Sequence, residues 1–221
     1  IKGKKALKSV SLELMDTTRI KDVNENYSEI TASMGSGMFS YHVEVKGQAY
    51  SETPLKSELS KEQVVYYKFE IIHEYEKLET KKNSDGVAEN RWVKHTKVVS
   101  ENARWANGVG VKDATGFIPI NANKSQFHTE QLYSTFEKGE PNSGSSEGQK
   151  SNMKGSSIGL GESVNKGIRT LGYRYTETGI RLGVKLYVVG DANDRDGSLQ
   201  ISRPKDKEDY FIVSVKSKDE F

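Results

Sequence analysis

The chain has 221 residues, with 33 lysine and arginine residues against 31 aspartate and glutamate residues. This length allows one large domain or two small ones, each with its own core. The formal net charge of +2 provides no general attraction to nucleic acid. The absence of cysteine excludes a disulfide framework, a thiol nucleophile and a cysteine-ligated zinc or iron–sulfur site.

The N-terminal region predicts an amphipathic helix over residues 5–25. Val10 and Leu14 belong to an apolar series with spacings of three and four residues, which places its members on one helical face. We expect residues 1–33 to form this helical part of the molecule. Residues 34–221 are expected to form a β-rich domain.

The basic start of the chain, with Lys2, Lys4 and Lys5, has two interpretations. It fits a solvated lysine-rich surface, and it also fits the flank of a membrane helix that precedes the chain. Composition alone favours the solvated surface. The sequence itself contains no stretch of the ~20 apolar residues that a bilayer-spanning helix needs.

From residue 41 onwards the hydrophobic period changes to two, which predicts β-strands. Residues 41–46 alternate apolar and polar side chains, so we expect a half-buried strand with Tyr41, Val43 and Val45 facing the core. Gly47, which follows them, indicates a bulge or a close approach of two backbones. The pattern of residues 121–136 does not distinguish a helix, a strand and a loop. Further strands are expected at 109–113, 117–120, 171–178, 184–192, 198–203 and 210–215.

A longer apolar run at residues 64–78 predicts a long strand. Its β-branched and aromatic residues favour burial of Tyr67, Phe69 and Ile71 on one face. The expected hairpin partner at residues 91–99 follows an Asp-Gly pair, which is a strong turn signal. In the turn between the strands at 109–113 and 117–120, a glycine with positive φ is expected at the last position.

Residues 138–168 are rich in glycine, serine, asparagine and lysine, which predicts a long flexible insertion. Leu160 and Ile168 are among its few apolar residues, and we expect them to anchor it. The order of elements predicts a mainly β (α+β) fold. We expect a partly closed antiparallel barrel or sandwich with an N-terminal helix and the long polar insertion.

No sequence motif indicates catalysis, metal binding or a cofactor. The four histidines share no metal-ligand spacing, so we interpret them as independent surface or strand residues. Residues 191–197 resemble a calcium-binding loop but fail its pattern at three positions. We therefore predict no catalytic residue, no metal site and no cofactor. Two rival hypotheses are a hydrolase with an unrecognised carboxylate site and an OB-like nucleic-acid binder.

Seven short stretches, taken together and in order, resemble those of the GIDE-type domain family, also called the BAM ("beside a membrane") domain. They lie at residues 43–47, 54–59, 64–67, 111–116, 172–177, 186–190 and 210–217. The family includes a mitochondrial ubiquitin ligase, its chloroplast relatives and bacterial proteins without a RING domain. Its motif residues, for which we expect structural roles, correspond to Gly47, Tyr66, Tyr67, Asp113, Gly116, Gly172, Tyr173, Arg174, Tyr175, Glu177, Gly190, Ser214 and Ser217.

The resemblance implies a domain beside a membrane, with membrane helices before and after the chain, that binds a partner or substrate protein. It favours the membrane interpretation of the basic start and leaves the side of the membrane open. Ligase activity in the family resides in a separate zinc-binding RING domain, and this chain has no cysteine for one. We therefore expect a non-catalytic protein-binding domain that binds no nucleic acid, with a second copy of the chain as an alternative partner.

Overall fold

The structure, a computed structural model, consists mainly of β-strands. It describes residues 15–82, 84, 86–139, 167–206 and 209–220. The described residues contain one α-helix, near the N-terminal end, so the predicted fold class of a mainly β protein with an N-terminal helix is confirmed. Residues 140–166, which make up most of the predicted insertion and include Leu160, lie outside the described residues.

The elements follow one another in chain order. They are α1 (Ile20–Met34), β1 (Ser40–Tyr50), β2 (Leu55–Lys56), β3 (Gln63–Lys82), β4 (Ala88–Trp105), β5 (Gly110–Lys112), β6 (Phe117–Pro119), β7 (Gln126–His128), β8 (Glu130–Lys138), β9 (Ile168–Arg181), β10 (Lys185–Asn193), β11 (Gln200–Ser202), β12 (Ile212–Ser214) and a final turn of 3-10 helix (Lys218–Glu220).

The helix begins later than predicted. The described residues before α1 are extended, and Thr17 forms a parallel bridge with Glu44 of β1. The N–H of Thr18 donates to the carbonyl oxygen of Glu44 at 2.7 Å, so this backbone is satisfied by a strand instead of a helical turn. The prediction of a helix over residues 5–25 is therefore wrong for residues 15–19 and too short at its C-terminal end. Residues 1–14, including the lysine-rich start, lie outside the described residues.

The chain divides into two compact units, of which unit 1 contains the larger core. Its described residues are 15–68, 103–132, 177–206 and 209–220. Its main sheet has the strand order β6-β5-β1-β10-β12-β7, with β11 paired to β10. The pair β7–β12 is parallel, while β1 pairs with β10 in an antiparallel register from Ser40↔Asn193 to Gln48↔Lys185.

Apolar residues from α1 and the strands fill the core of unit 1. Ile20 and Val23 of α1 are fully buried together with Val43 and Val45 of β1. A spacing of three residues places the first two on one face of the helix, and a spacing of two places the others on one face of the strand. The predicted burial of Tyr41 is wrong, because 53% of its surface is exposed near the start of β1, outside this core.

Two glycines allow close approaches in unit 1. A Cβ atom on Gly47 would lie 2.7 Å from the carbonyl oxygen of Lys112, which agrees with the predicted close backbone approach. Gly116, however, does not have the expected positive φ. A Cβ atom there would lie 3.1 Å from Cγ2 of Ile20, so the absence of a side chain lets the β5–β6 turn approach α1.

Unit 2 comprises residues 69–102, 133–139 and 167–176 among the described residues. It draws on the second sheet, which has the order β2-β3-β9-β8 with β4 paired to β3. Its buried side chains, among these described residues, are those of Phe69, Ile71, Glu74 and Tyr173. The predicted burial of Phe69 and Ile71, and of Tyr67 in unit 1, is confirmed. Ile168, expected to anchor the insertion, is instead 42% exposed at the start of β9.

Replacing Phe69 by alanine tests the small core of unit 2. Phe69 is 6% exposed, so Phe69→Ala should lower the free energy of unfolding by about 3–5 kcal/mol through lost burial and a residual cavity. Val98→Ala is the matched control, because Val98 is 47% exposed and its truncation should cost under about 1 kcal/mol. Urea denaturation measures both, and equal losses for the two variants would contradict the assignment of the faces.

Candidate functional site

The motif residue Glu177 holds a loop of unit 1 in place. Its side chain is fully buried, and its carboxylate accepts hydrogen bonds from three consecutive backbone N–H groups. The donors are Glu58 at 2.8 Å, Leu59 at 2.9 Å and Ser60 at 2.8 Å. Three donors on one carboxylate satisfy backbone groups that would otherwise be unpaired between β2 and β3.

Other motif residues of unit 1 lie at turns and strand pairs. Oδ1 of Asp113 accepts hydrogen bonds from the N–H groups of Thr115 and Gly116 at 2.7 and 3.0 Å. Burial opposes ionisation of Asp113, but these hydrogen bonds outweigh it and lower the pKa of its carboxyl. Gly190 lies directly opposite Val43 in the β1–β10 pair.

The two C-terminal motif serines form local hydrogen bonds. Oγ of the buried Ser214 accepts from the N–H of Lys216 at 2.9 Å. The hydroxyl of Ser217 donates to the Glu220 carboxylate at 2.9 Å, and its own N–H donates to the same oxygen at 2.7 Å. These contacts fix the turn after β12 and the start of the 3-10 helix.

The motif tyrosines of β3 pack in unit 1. The Tyr66 ring lies 4.6 Å from the ring centroids of both Trp105 and Phe127, and burial raises the pKa of its hydroxyl. Tyr67, the next residue, is 2% exposed. Neighbouring residues of a strand point to opposite sides of the sheet, so these two rings contribute to different packing surfaces.

A buried carboxylate in β1 was missed by sequence reasoning. Glu44 is fully buried and accepts hydrogen bonds from the hydroxyls of Thr17 (2.7 Å) and Tyr187 (3.0 Å) and the ammonium of Lys218 (3.0 Å). Lys46 is 3.2 Å away. Burial opposes ionisation, but the four donors outweigh it and lower the pKa of Glu44. Strict alternation had placed Glu44 on the solvent side, and only its distant partners explain its burial.

The remaining motif residues, Gly172, Tyr173, Arg174 and Tyr175, lie in β9 within unit 2. Gly172 packs against the carbonyl oxygen of Glu137, leaving no room for a Cβ atom. Burial, and then the neighbouring Glu137 carboxylate, raises the pKa of the Tyr175 hydroxyl. Arg174 and Tyr173 belong to two opposite faces of the unit 2 sheet.

An ionic network covers one face of this sheet and centres on Glu74. The Glu74 carboxylate is 6% exposed and lies 2.6 Å from the Lys94 ammonium and 2.8 Å from Nε of Arg174. Hydrogen bonding by Lys94, followed by Arg174, holds the pKa of Glu74 below its usual value. Lys94 lies in β4 and Arg174 in β9, so this carboxylate of β3 joins both neighbouring strands.

The ionic network continues towards the start of β9. Arg169 pairs with the Glu76 carboxylate, and its guanidinium lies 4.6 Å from the centroid of the Trp92 ring. The pair and the cation–π contact again link β3, β4 and β9. We call the set Glu74, Glu76, Trp92, Lys94, Arg169 and Arg174 the ionic face.

Four stacked rings occupy the opposite face. Tyr173 stacks on His73 at 4.8 Å between centroids, His73 on Tyr75 at 4.9 Å, and Tyr75 on His95 at 5.6 Å. The planes of successive rings deviate from parallel by 13°, 28° and 21°. Nε2 of His95 lies 2.9 Å from the Glu79 carboxylate. Sequence analysis treated these histidines as independent, whereas cross-strand pairing joins two of them in one row.

Strand β4 is the most exposed long element of the described chain. It spans Ala88–Trp105, and each of its 18 residues is exposed or half-buried. Among the described strands it pairs with β3. Trp92 and Val98, both apolar, are 38% and 47% exposed on it. A long strand with so little burial is a candidate interaction surface.

One group of described residues in unit 1 could supply metal ligands. His42 and Asp191 are opposite one another in the β1–β10 pair, and Asp209 brings a third donor atom within 4.8 Å. The Asp191 carboxylate already contacts Nδ1 of His42 at 3.0 Å and the Arg195 guanidinium at 2.7 Å. His42 and Arg195 therefore already occupy this carboxylate, and the spacing of the histidines in the sequence did not predict this arrangement.

The family comparison agrees with the sequence resemblance. A family model named GIDE, described as E3 ubiquitin ligase, matches residues 76–221, which is more than half of the chain. The chain belongs to the GIDE family. The match contains four of the seven resembling stretches, and the stretches before residue 76 lie outside it. Searches of curated proteins and of solved structures each returned no match. Among the described helices, none is long and apolar enough to span a membrane.

The ionic face should make β4 sensitive to acid. The pKa of Glu74 is lower in the folded state than its ordinary value, so its contribution to stability is present at neutral pH. This contribution to stability should be lost as the pH falls below ~4.3, the ordinary pKa of a glutamate side chain, and then through the lower pKa of Glu74 in the folded state. In a Trp105→Phe background Trp92 is the sole tryptophan, and its fluorescence should report this transition.

The matched control is Glu74→Gln in the same Trp105→Phe background. This variant should show altered Trp92 fluorescence already at neutral pH and should lack the acid transition. An unchanged transition in Glu74→Gln would mean that another group controls β4.

Proposed function

We propose that this GIDE-family chain is a non-catalytic part of a membrane-anchored protein and binds a partner or substrate protein through unit 2. The observation that carries the proposal is β4, an 18-residue strand without a single buried side chain. Its exposed tryptophan and arginine residues are of the types enriched in protein interfaces. The membrane anchor rests on the family resemblance alone.

The composition of unit 2 supports recognition as its role. Its described residues bury four side chains, and one of those is the charged Glu74. Cross-strand ion pairs and stacked rings stabilise such a sheet and leave most of its side chains exposed or half-buried. A sheet of this kind can offer a partner both its side chains and its outer strand.

The carboxyl groups support binding over hydrolysis. A carboxylic acid that protonates a leaving group needs a raised pKa. Among the described residues, the carboxyl groups with shifted pKa values all shift downwards, because each accepts hydrogen bonds from cationic, hydroxyl or backbone donors. These groups are Glu44, Glu62, Glu74, Asp113, Asp191 and Glu220.

Site-specific photocrosslinking tests the proposal in the full-length protein in its native membranes. A photoreactive amino acid at Val98 of β4 should give a discrete crosslinked protein, because this exposed position lies on the proposed surface. Met38 of unit 1 is the matched control, since it is 66% exposed and apolar but lies outside unit 2. Equal yields of the same product from both positions, or products from Met38 alone, would contradict the proposal.

A further inference from the structure

We infer that the partner of unit 2 is an extended acidic segment that adds as a strand to the outer edge of β4 between Asn90 and Ser100. This inference rests on the proposed function and specifies how the partner binds. The juxtaposition that carries it is a solvent-exposed strand edge whose side chains are basic and apolar.

The backbone of this segment suits strand addition. Residues 90–100 contain neither proline nor glycine, and the whole segment is extended within β4. Among the described strands, β4 pairs with β3 along one of its two edges. The other edge presents alternate N–H and C=O groups, which an extended peptide can pair with in a regular ladder.

The charge of the segment defines the chemistry of the partner. Between Asn90 and Ser100 the strand carries Arg91, Lys94 and Lys97 and no acidic residue. Lys94 is already paired with Glu74. Arg91 and Lys97 share the opposite parity and lie roughly 20 Å apart along the strand, at ~3.3 Å per residue. An added strand with acidic residues six positions apart would therefore match both.

Apolar side chains alternate with these charges and give the segment a surface that a strand can cover. Trp92 and Val98 are exposed on one parity, while Val93 and Val99 are half-buried on the other. Basic residues on an edge strand oppose pairing with another basic strand. They favour an acidic one, so the same residues select the partner by charge.

A single-stranded nucleic acid fits the ionic face less well. Base stacking needs an accessible aromatic ring, but the Trp92 ring already lies against the Arg169 guanidinium. The carboxylates of Glu74 and Glu76 lie on the same face and would repel phosphates. An acidic peptide at the strand edge avoids both contacts because its backbone pairs within the plane of the sheet.

Three synthetic ten-residue peptides test the inference on the 221-residue chain. The first alternates valine and threonine and has glutamate at its second and eighth positions. The second has lysine at those two positions, and the third keeps the glutamates but has proline at two central positions. Binding is measured by calorimetry, and the site is measured by hydrogen exchange of the amides of residues 90–100. A twelve-nucleotide oligothymidine is the nucleic-acid probe.

The glutamate peptide should bind and slow the exchange of alternate amides in residues 90–100, while the lysine and proline peptides should bind at least about tenfold more weakly. Arg91→Glu with Lys97→Glu should reverse the preference, so that the lysine peptide binds better. Lys56→Glu with Lys185→Glu, two exposed lysines of unit 1, is the charge-matched control and should change nothing.

Equal binding of the proline and glutamate peptides would overturn strand addition, because charge alone would then explain affinity. Protection of residues 90–100 by oligothymidine but not by the glutamate peptide would overturn the protein partner. If the Val98 crosslink forms in membranes and survives Arg91→Glu with Lys97→Glu, the inference fails while the proposed function stands. Absence of the crosslink defeats the proposed function itself.

Discussion

The arrangement of unit 2 depends on one buried carboxylate. Glu74 of β3 contacts Lys94 of β4 and Arg174 of β9, and so joins three strands through a single side chain. The apolar side chains buried with it, among the described residues of the unit, are those of Phe69, Ile71 and Tyr173. With so few, cross-strand ion pairs and stacked rings contribute more to this sheet than they would in a sheet with two buried faces.

This mode of stabilisation has a consequence for recognition. A strand that is held by side-chain contacts to its inner neighbour does not depend on a second layer over its faces, and its outer edge can stay accessible. The row of Tyr173, His73, Tyr75 and His95 adds contact between rings on the other face, where Tyr173 is buried and the other three rings remain partly accessible. Unit 1 differs, because α1 and the β1–β10 pair enclose a continuous apolar core.

The sequence predicted those features that depend on local periodicity. The long β3 strand, the burial of Tyr67, Phe69 and Ile71 and the close approach at Gly47 follow from alternation and residue type. Two of the failures, at Thr17 and Glu44, have a common physical cause, which is pairing between distant residues. Thr17 belongs to a bridge with β1 although its spacing suits a helix. Glu44 is buried because residues far along the chain neutralise it, and no local pattern records such partners.

Hydrogen exchange of Glu74→Gln, compared with the unmodified protein, tests the central claim that this carboxylate holds β4. Loss of the charge should increase the opening of β4, and the protection of its amides should fall at least about tenfold, equivalent to ~1.4 kcal/mol. Amides of β1 and β10 in unit 1 should keep their protection, because the apolar core there is unchanged. An equal loss of protection in β1, β4 and β10, or no loss in β4, would contradict the account.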